Sequence, residues 1–105
     1  MLLTEKEILG EVNKLTDWEF ISSKIVRFIE RRNQGENLGH IVKDIWDAAE
    51  KADHHPDILL TYSGIKITLF THDESWVTSK DINFARDLDA RLKYILNPEN
   101  LITKD

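Results

Sequence analysis

The chain has 105 residues, a net charge of −5 and no cysteine. That length suits one domain with one core, and the acidic balance argues against nucleic acid as the main partner, because such affinity comes from Lys and Arg neutralising phosphates. Without cysteine there is no disulfide, thiolate zinc site or cysteine nucleophile.

The first element is announced by Thr4-Glu5-Lys6-Glu7, a capping box in which the Thr4 hydroxyl accepts an amide three residues on and Glu7 reaches back. Ile8, Val12 and Leu15 follow at helical spacing, which predicts a helix from about Glu5 to Lys14, ended by Thr16-Asp17. The same segment, MLLTEKEILGEV, carries acidic residues where a signal peptide needs basic ones. No apolar run approaches the roughly 20 residues of a membrane-spanning helix. A soluble cytoplasmic protein, with no membrane partner, is expected.

Trp18 to Ile21 and Ile25 to Ile29 are rich in aromatic and β-branched residues and read as two adjacent strands around Ser22-Ser23-Lys24. The only local basic pair, Arg31-Arg32, is too small to draw in a nucleic acid. Asn33 to Asn37 is a loop by composition. Leu38, Ile41, Val42, Ile45, Ala49 and Ala52 then repeat with a 3.6-residue period, predicting a second helix with Asn37 as cap. Pro56 biases His55 away from helical dihedrals, so this helix should stop near Asp53 or His54.

Ile58 to Tyr62, Ser63-Gly64, and Ile65 to Phe70 read as a second hairpin turning at Ser-Gly. Ile65, Ile67 and Leu69 share one face, while Lys66, Thr68, Phe70 and His72 share the other. A polar loop from His72 to Ser79 leads to a third helix marked by Ile82, Ala85, Leu88, Asp89 and Leu92, with Asn97-Pro98 as its stop. The order helix, two strands, helix, two strands, helix implies hairpins rather than crossovers. The expected fold is α+β: one domain over 1–105 with a four-stranded antiparallel sheet and three helices on one face, α-β-β-α-β-β-α.

Chemistry gathers around the stretch EKADHHPDILLTY. Glu50 and His54 are four apart and meet on one helical face if the helix persists that far. Pro56 holds His55 extended, His72 leaves the second hairpin, and Asp81 stands in the first turn of the last helix, where a carboxylate is favoured. Each has an ordinary role: His54 as a helix-end cap, His55 as a turn residue, Glu50 and Asp81 as solvated helix charges, Tyr62 as a cross-strand aromatic. Together, three imidazoles and two carboxylates suit general acid–base work near neutral pH. They could also hold a divalent metal, although no HExxH or comparable ligand spacing is present.

Glu50, His54-His55-Pro56, Tyr62, His72 and Asp81 follow a spacing that resembles the pterin-4a-carbinolamine dehydratase family. AEKADHHPD, ITLFTHD and DINFA are similar to that family's phrases, and LLTEKEI and Leu15-Thr16-Asp17-Trp18 are more loosely so. The resemblance covers most of the chain, and the family's α+β fold agrees with the element order. It implies a hydro-lyase that converts 4a-hydroxytetrahydropterin to quinonoid dihydropterin and water. Such an enzyme has a pterin as substrate, no metal or other cofactor, and a homodimer or homotetramer as its assembly.

The resemblance also implies roles. His54 and His72 move protons, and His55 beside Pro56 binds and orients the substrate. Glu50 orients His54, and Asp81 supports His72 or its loop. Trp76 stands where the family usually carries small residues, often a glycine pair; either it covers the pocket, stacks on the pterin or blocks it, or it is an ordinary aromatic of a surface loop. A phenylalanine-rich stretch usual in the family is also reduced here, Phe28 being followed by IERRNQGENLG. The family includes non-catalytic dimerisation and assembly factors on the same scaffold, which gives the alternative function.

Overall fold

The computed structural model describes residues 2–31 and 37–96. Both halves of the capping box form at α1 (Glu5–Val12). The Glu7 amide donates to Thr4 Oγ1 at 3.1 Å, and the Thr4 amide donates to Glu7 Oε1 at 2.8 Å. The helix ends two residues short of Lys14. There the Lys14 and Leu15 amides donate to the carbonyls of Glu11 and Val12, three residues back, which tightens the chain out of α-helical spacing.

Strands β1 (Trp18–Ile21) and β2 (Lys24–Glu30) pair antiparallel around Ser22 and Ser23. Both serines lie at positive φ, 52° and 68°, the backbone hand that matches strand twist in a two-residue hairpin.

Helix α2 (Leu38–Ala52) buries Leu38, Ile41, Ile45 and Ala49 as its period requires. Asn37 makes no side-chain cap, because its own backbone is helical (φ −78°, ψ −6°) rather than extended. Arg32, the 33–36 part of the predicted loop, and Asn97-Pro98 lie outside the described residues.

β3 (Asp57–Thr61) and β4 (Gly64–Leu69) form the second hairpin. Its turn falls one residue earlier than Ser63-Gly64: Tyr62 and Ser63 make the loop, and Gly64 already pairs with Thr61 and Glu30. The cause is steric. Gly64 has φ 150°, and a Cβ there would lie 2.1 Å from the Ile29 carbonyl oxygen. Only glycine lets β4 come that close to β2.

Helix α3 (Ser79–Ile95) completes the order α-β-β-α-β-β-α. The sheet runs β1-β2-β4-β3 and every pairing is antiparallel, so the expected α+β fold is the observed one. Ile25, Ile29, Ile65, Ile67 and Leu69 point into the core with the helix stripes, while Phe28, Leu59 and Lys66 on the other face are exposed. Each fully buried Ile or Leu contributes roughly 1.5–3 kcal/mol, against at most about 1 kcal/mol for an exposed ion pair such as Lys43–Asp47. The core holds the fold.

One ion pair, Arg27 with Asp89, reaches into that core. Asp89, on the inward stripe of α3, accepts from the Thr16 amide (2.8 Å), Trp18 Nε1 (2.7 Å) and Arg27 Nη1 (2.8 Å). Trp18 and Arg27 are cross-strand partners on β1 and β2, so a single carboxylate ties α3 to the first hairpin. Arg27 is 8% exposed, and its Nε has no hydrogen-bond partner.

Candidate active site

The site begins where α2 stops. Asp53 takes the left-handed conformation (φ 51°, ψ 42°). Its amide donates to Glu50 O at 3.3 Å, and the His54 amide donates to Ala49 O at 3.1 Å. This is the Schellman pattern, with aspartate in the position glycine usually takes. The reversal of hand removes His54 from the helical face of Glu50, and Pro56, which is buried, keeps the next residues extended.

The two adjacent imidazoles therefore part. His54 Nε2 lies 2.6 Å from Asp81 Oδ1 at the start of α3, and its ring meets Phe84 edge-on at 6.1 Å. His55 Nε2 turns back to Glu50 Oε2 at 2.5 Å and lies tilted against Trp46, 4.9 Å between centroids. The Glu50 partnership differs from expectation, and Asp81 keeps the expected hold on the His72 loop, through the Thr71 hydroxyl and the Thr78 amide, but not on the His72 ring. Glu50 holds His55 rather than His54, because the left-handed residue breaks the four-residue spacing. Asp81 holds His54 rather than His72, because the start of α3 packs beside the end of α2.

Asp81 is fully buried, and a buried carboxylate must be hydrogen-bonded to persist. It closes a capping box with Thr78. Oδ2 accepts from the Thr78 amide and from Thr71 Oγ1, both at 2.9 Å. Thr71 and Thr78 hydroxyls are 2.6 Å apart, and Thr78 Oγ1 also accepts from the Lys80 amide at 3.3 Å. Since Thr71 donates to Asp81, Thr78 must donate to Thr71, and every hydroxyl proton has a direction. We assign the Nε2 proton of His54 to the bond with Oδ1, the arrangement in which Asp81 accepts throughout; Nδ1 makes no hydrogen bond among the described residues. Thr71 and Thr78 escaped the sequence argument. The signal was present in Thr78-Ser79-Lys80-Asp81, a capping box with Asp in place of Glu.

His72 follows Thr71 directly, so the Asp81 network brings the chain just before His72 to the end of α2. Its side chain is exposed and stacks on Phe70, with centroids 4.2 Å apart and planes 30° apart. Trp76 has two partners of its own. Its indole Nε1 donates to the Leu3 carbonyl at 2.6 Å, and its ring meets Phe20 edge-on at 5.7 Å. It packs against the core as a partly buried brace between the N-terminal segment and β1. The loop reaches this arrangement by placing Ser75, not Trp76, at positive φ (52°).

A groove between α2 and α3 is lined by Ala48, Lys51, Ala52, Phe84, Asp87, Leu88 and Arg91, and another between α1 and α3 by Leu3, Glu11, Ser79, Ile82, Asn83 and Arg86. Neither lining includes an imidazole. Among the described residues no three His, Asp or Glu are grouped to hold a metal, and no helix is long and apolar enough to cross a membrane.

Fold and site define a class: a small α+β domain whose helix junction carries two histidine–carboxylate pairs, with a third histidine on the loop that one pair reaches. The chain belongs to the pterin-4-alpha-carbinolamine dehydratase family, whose model matches residues 1–91. A relative from Picosynechococcus sp. is 34% identical over 87 residues, covering 83% of this chain and 94% of its own. One from Aquifex aeolicus is 32% identical over 94 residues, covering 90% and 94%. Both bear the family's name with the activity assigned provisionally. Among solved structures, a transcriptional coactivator/pterin dehydratase from Brucella melitensis is similar with a TM-score of 0.76 and 30% identity, over 86% of this chain and 97% of that one.

Proposed function

We propose that this protein is a hydro-lyase that dehydrates a pterin-4a-carbinolamine to quinonoid dihydropterin. The observation that carries the proposal is the His54–Asp81 pair, held at 2.6 Å by a buried, fully hydrogen-bonded carboxylate beside the residue that precedes His72. In the reaction the bond from ring carbon to hydroxyl breaks, and the oxygen departs as water once it has received a proton. The adjacent ring nitrogen loses its proton as the carbon–nitrogen double bond forms. One proton is supplied and one removed, so two groups suffice and the chemistry needs no metal or redox cofactor.

His54 and His72 are the two proton-transfer groups, with His54 acting through Nδ1. Asp81 is a positioning residue that sets the His54 tautomer. His55, with Nε2 on Glu50, presents Nδ1 to the substrate, and Pro56 keeps it extended. Removing either proton carrier should lower the rate by about 10²–10⁴-fold. A spectroscopic assay of carbinolamine loss with wild type, His54→Ala and His72→Ala tests this, and equal rates in all three would end the mechanism.

A second reading is a partner-binding or assembly factor on the same scaffold, favoured by the coactivator description of the Brucella melitensis neighbour. Its support would be a catalytically silent wild type that still captures a defined partner after both histidines are replaced. Self-association is part of the proposal in either case. β1 and β3 are open sheet edges, and β3 exposes Leu59 and Leu60. Light scattering that finds only monomers at micromolar concentration would remove it.

A further inference from the structure

We propose that Phe70 is a positioning residue for His72, an inference that rests on the dehydratase reading above. The three imidazoles are not held alike. His54 and His55 each have a carboxylate, whereas the His72 ring makes no hydrogen bond or ion pair among the described residues and is exposed. What restrains it is a face: the Phe70 ring, two residues back on the same side of the chain, stacks on it at 4.2 Å with an interplanar angle of 30°.

Phe70 is itself held. Lys24 Nζ lies 4.9 Å from its centroid, close enough for a cation to be attracted to the π face. The register places Ile25 opposite Leu69, so one step further along the ladder brings Lys24 opposite Phe70. A strand-end aromatic anchored on the neighbouring strand therefore supplies the orientation that a carboxylate supplies to the other two imidazoles.

The size of the effect follows from rotamers. A free exposed imidazole samples about three χ1 and two χ2 wells, or roughly six states, and proton transfer needs one of them. Losing the stack should lower kcat about six-fold, with KM little changed because Phe70 need not touch the substrate. Phe70→Leu removes the ring but keeps an apolar side chain, while Phe70→Tyr keeps the stacking face and serves as the conservative rescue.

The test measures kcat and KM for wild type, Phe70→Leu and Phe70→Tyr, together with the His72 ring carbon–proton resonances by NMR. The expected result is a kcat loss in Phe70→Leu that Phe70→Tyr restores, with the His72 ring protons moving downfield in Phe70→Leu as the ring-current shielding disappears. With an active wild type, an unchanged kcat in Phe70→Leu, or an equal loss in both variants, overturns the proposal. If the wild type fails to dehydrate the carbinolamine, the functional reading falls and the resonances alone decide. His72 signals that move in Phe70→Leu and not in Phe70→Tyr sustain the positioning role, and signals that stay in place overturn it.

Discussion

Replacing Asp81 by Asn separates what the carboxylate does for the fold from what it does for the site. The amide is nearly isosteric, and its oxygen can keep the two bonds now made to Oδ2 by the Thr78 amide and Thr71 hydroxyl. The new NH₂ group then faces His54 Nε2, where Oδ1 stood at 2.6 Å. A donor cannot meet a donor, so the imidazole must turn Nε2 into an acceptor and move its proton to Nδ1. The stability loss should be small, about 1 kcal/mol, because three charge-assisted hydrogen bonds become neutral ones while the cost of burying a charge is removed. The activity loss should be large, on the order of 10²–10⁴-fold, since Nδ1 now carries a fixed proton. Asp81→Ala gives the contrast. It leaves the Thr78 amide unsatisfied (~1–3 kcal/mol) and takes the acceptor from the Thr71 hydroxyl (~1 kcal/mol), for a total of about 2–4 kcal/mol. At roughly 4–8 °C per kcal/mol for a domain this size, its melting temperature should fall by about 10–30 °C. Thermal melts, the dehydratase assay and nitrogen-detected NMR of the His54 tautomer measure all three quantities. A soluble Asp81→Asn protein with near-wild-type rate, or with Nε2 still protonated, would refute the reasoning.

Four further outcomes are expected. Gly64→Ala should destabilise by at least about 2 kcal/mol, from its positive φ and the 2.1 Å approach to Ile29 O, with chemical denaturation as the check. Asp89→Ala leaves the Arg27 cation buried without its counter-ion, so a loss of about 3–5 kcal/mol should be seen in urea, with activity per folded molecule retained. Glu50→Ala should change stability by less than about 1 kcal/mol, because the Glu50–His55 pair is largely exposed; freeing the His55 ring should instead raise KM more than it lowers kcat. Trp76→Phe keeps the Phe20 contact and loses the bond to Leu3 O, so it should cost about 0.5–1.5 kcal/mol in a thermal melt and leave kcat unchanged. A fall in kcat there would place the indole back at the pocket.

Periodicity and turn chemistry made the scaffold readable. The 3.6-residue stripes of α2 and α3, the alternation in β4 and the Thr4 capping box are local patterns, and local rules predict them well. Errors fell where a neighbouring element changes the local answer. Gly64 looks like a turn residue in isolation, yet the close carbonyl of Ile29 on β2 draws it into the strand. Asn37 looks like a cap, yet the chain enters α2 already helical. Nor does anything local announce the partner of Trp76: the Leu3 carbonyl, 73 residues away in sequence, engages its indole.

From its amino acids alone this protein is specified as an α+β domain with a histidine-rich junction after its second helix, because hydrophobic period, proline and caps act over a few residues. Which carboxylate serves which imidazole was settled only in three dimensions. The left-handed turn at Asp53 sends His54 and His55 in different directions, and the packing of α3 against the end of α2 brings Asp81 to His54 across 27 positions of chain. Spacing along a chain names the groups available for proton transfer, but a hydrogen bond depends on direction, and direction is a property of the assembled elements.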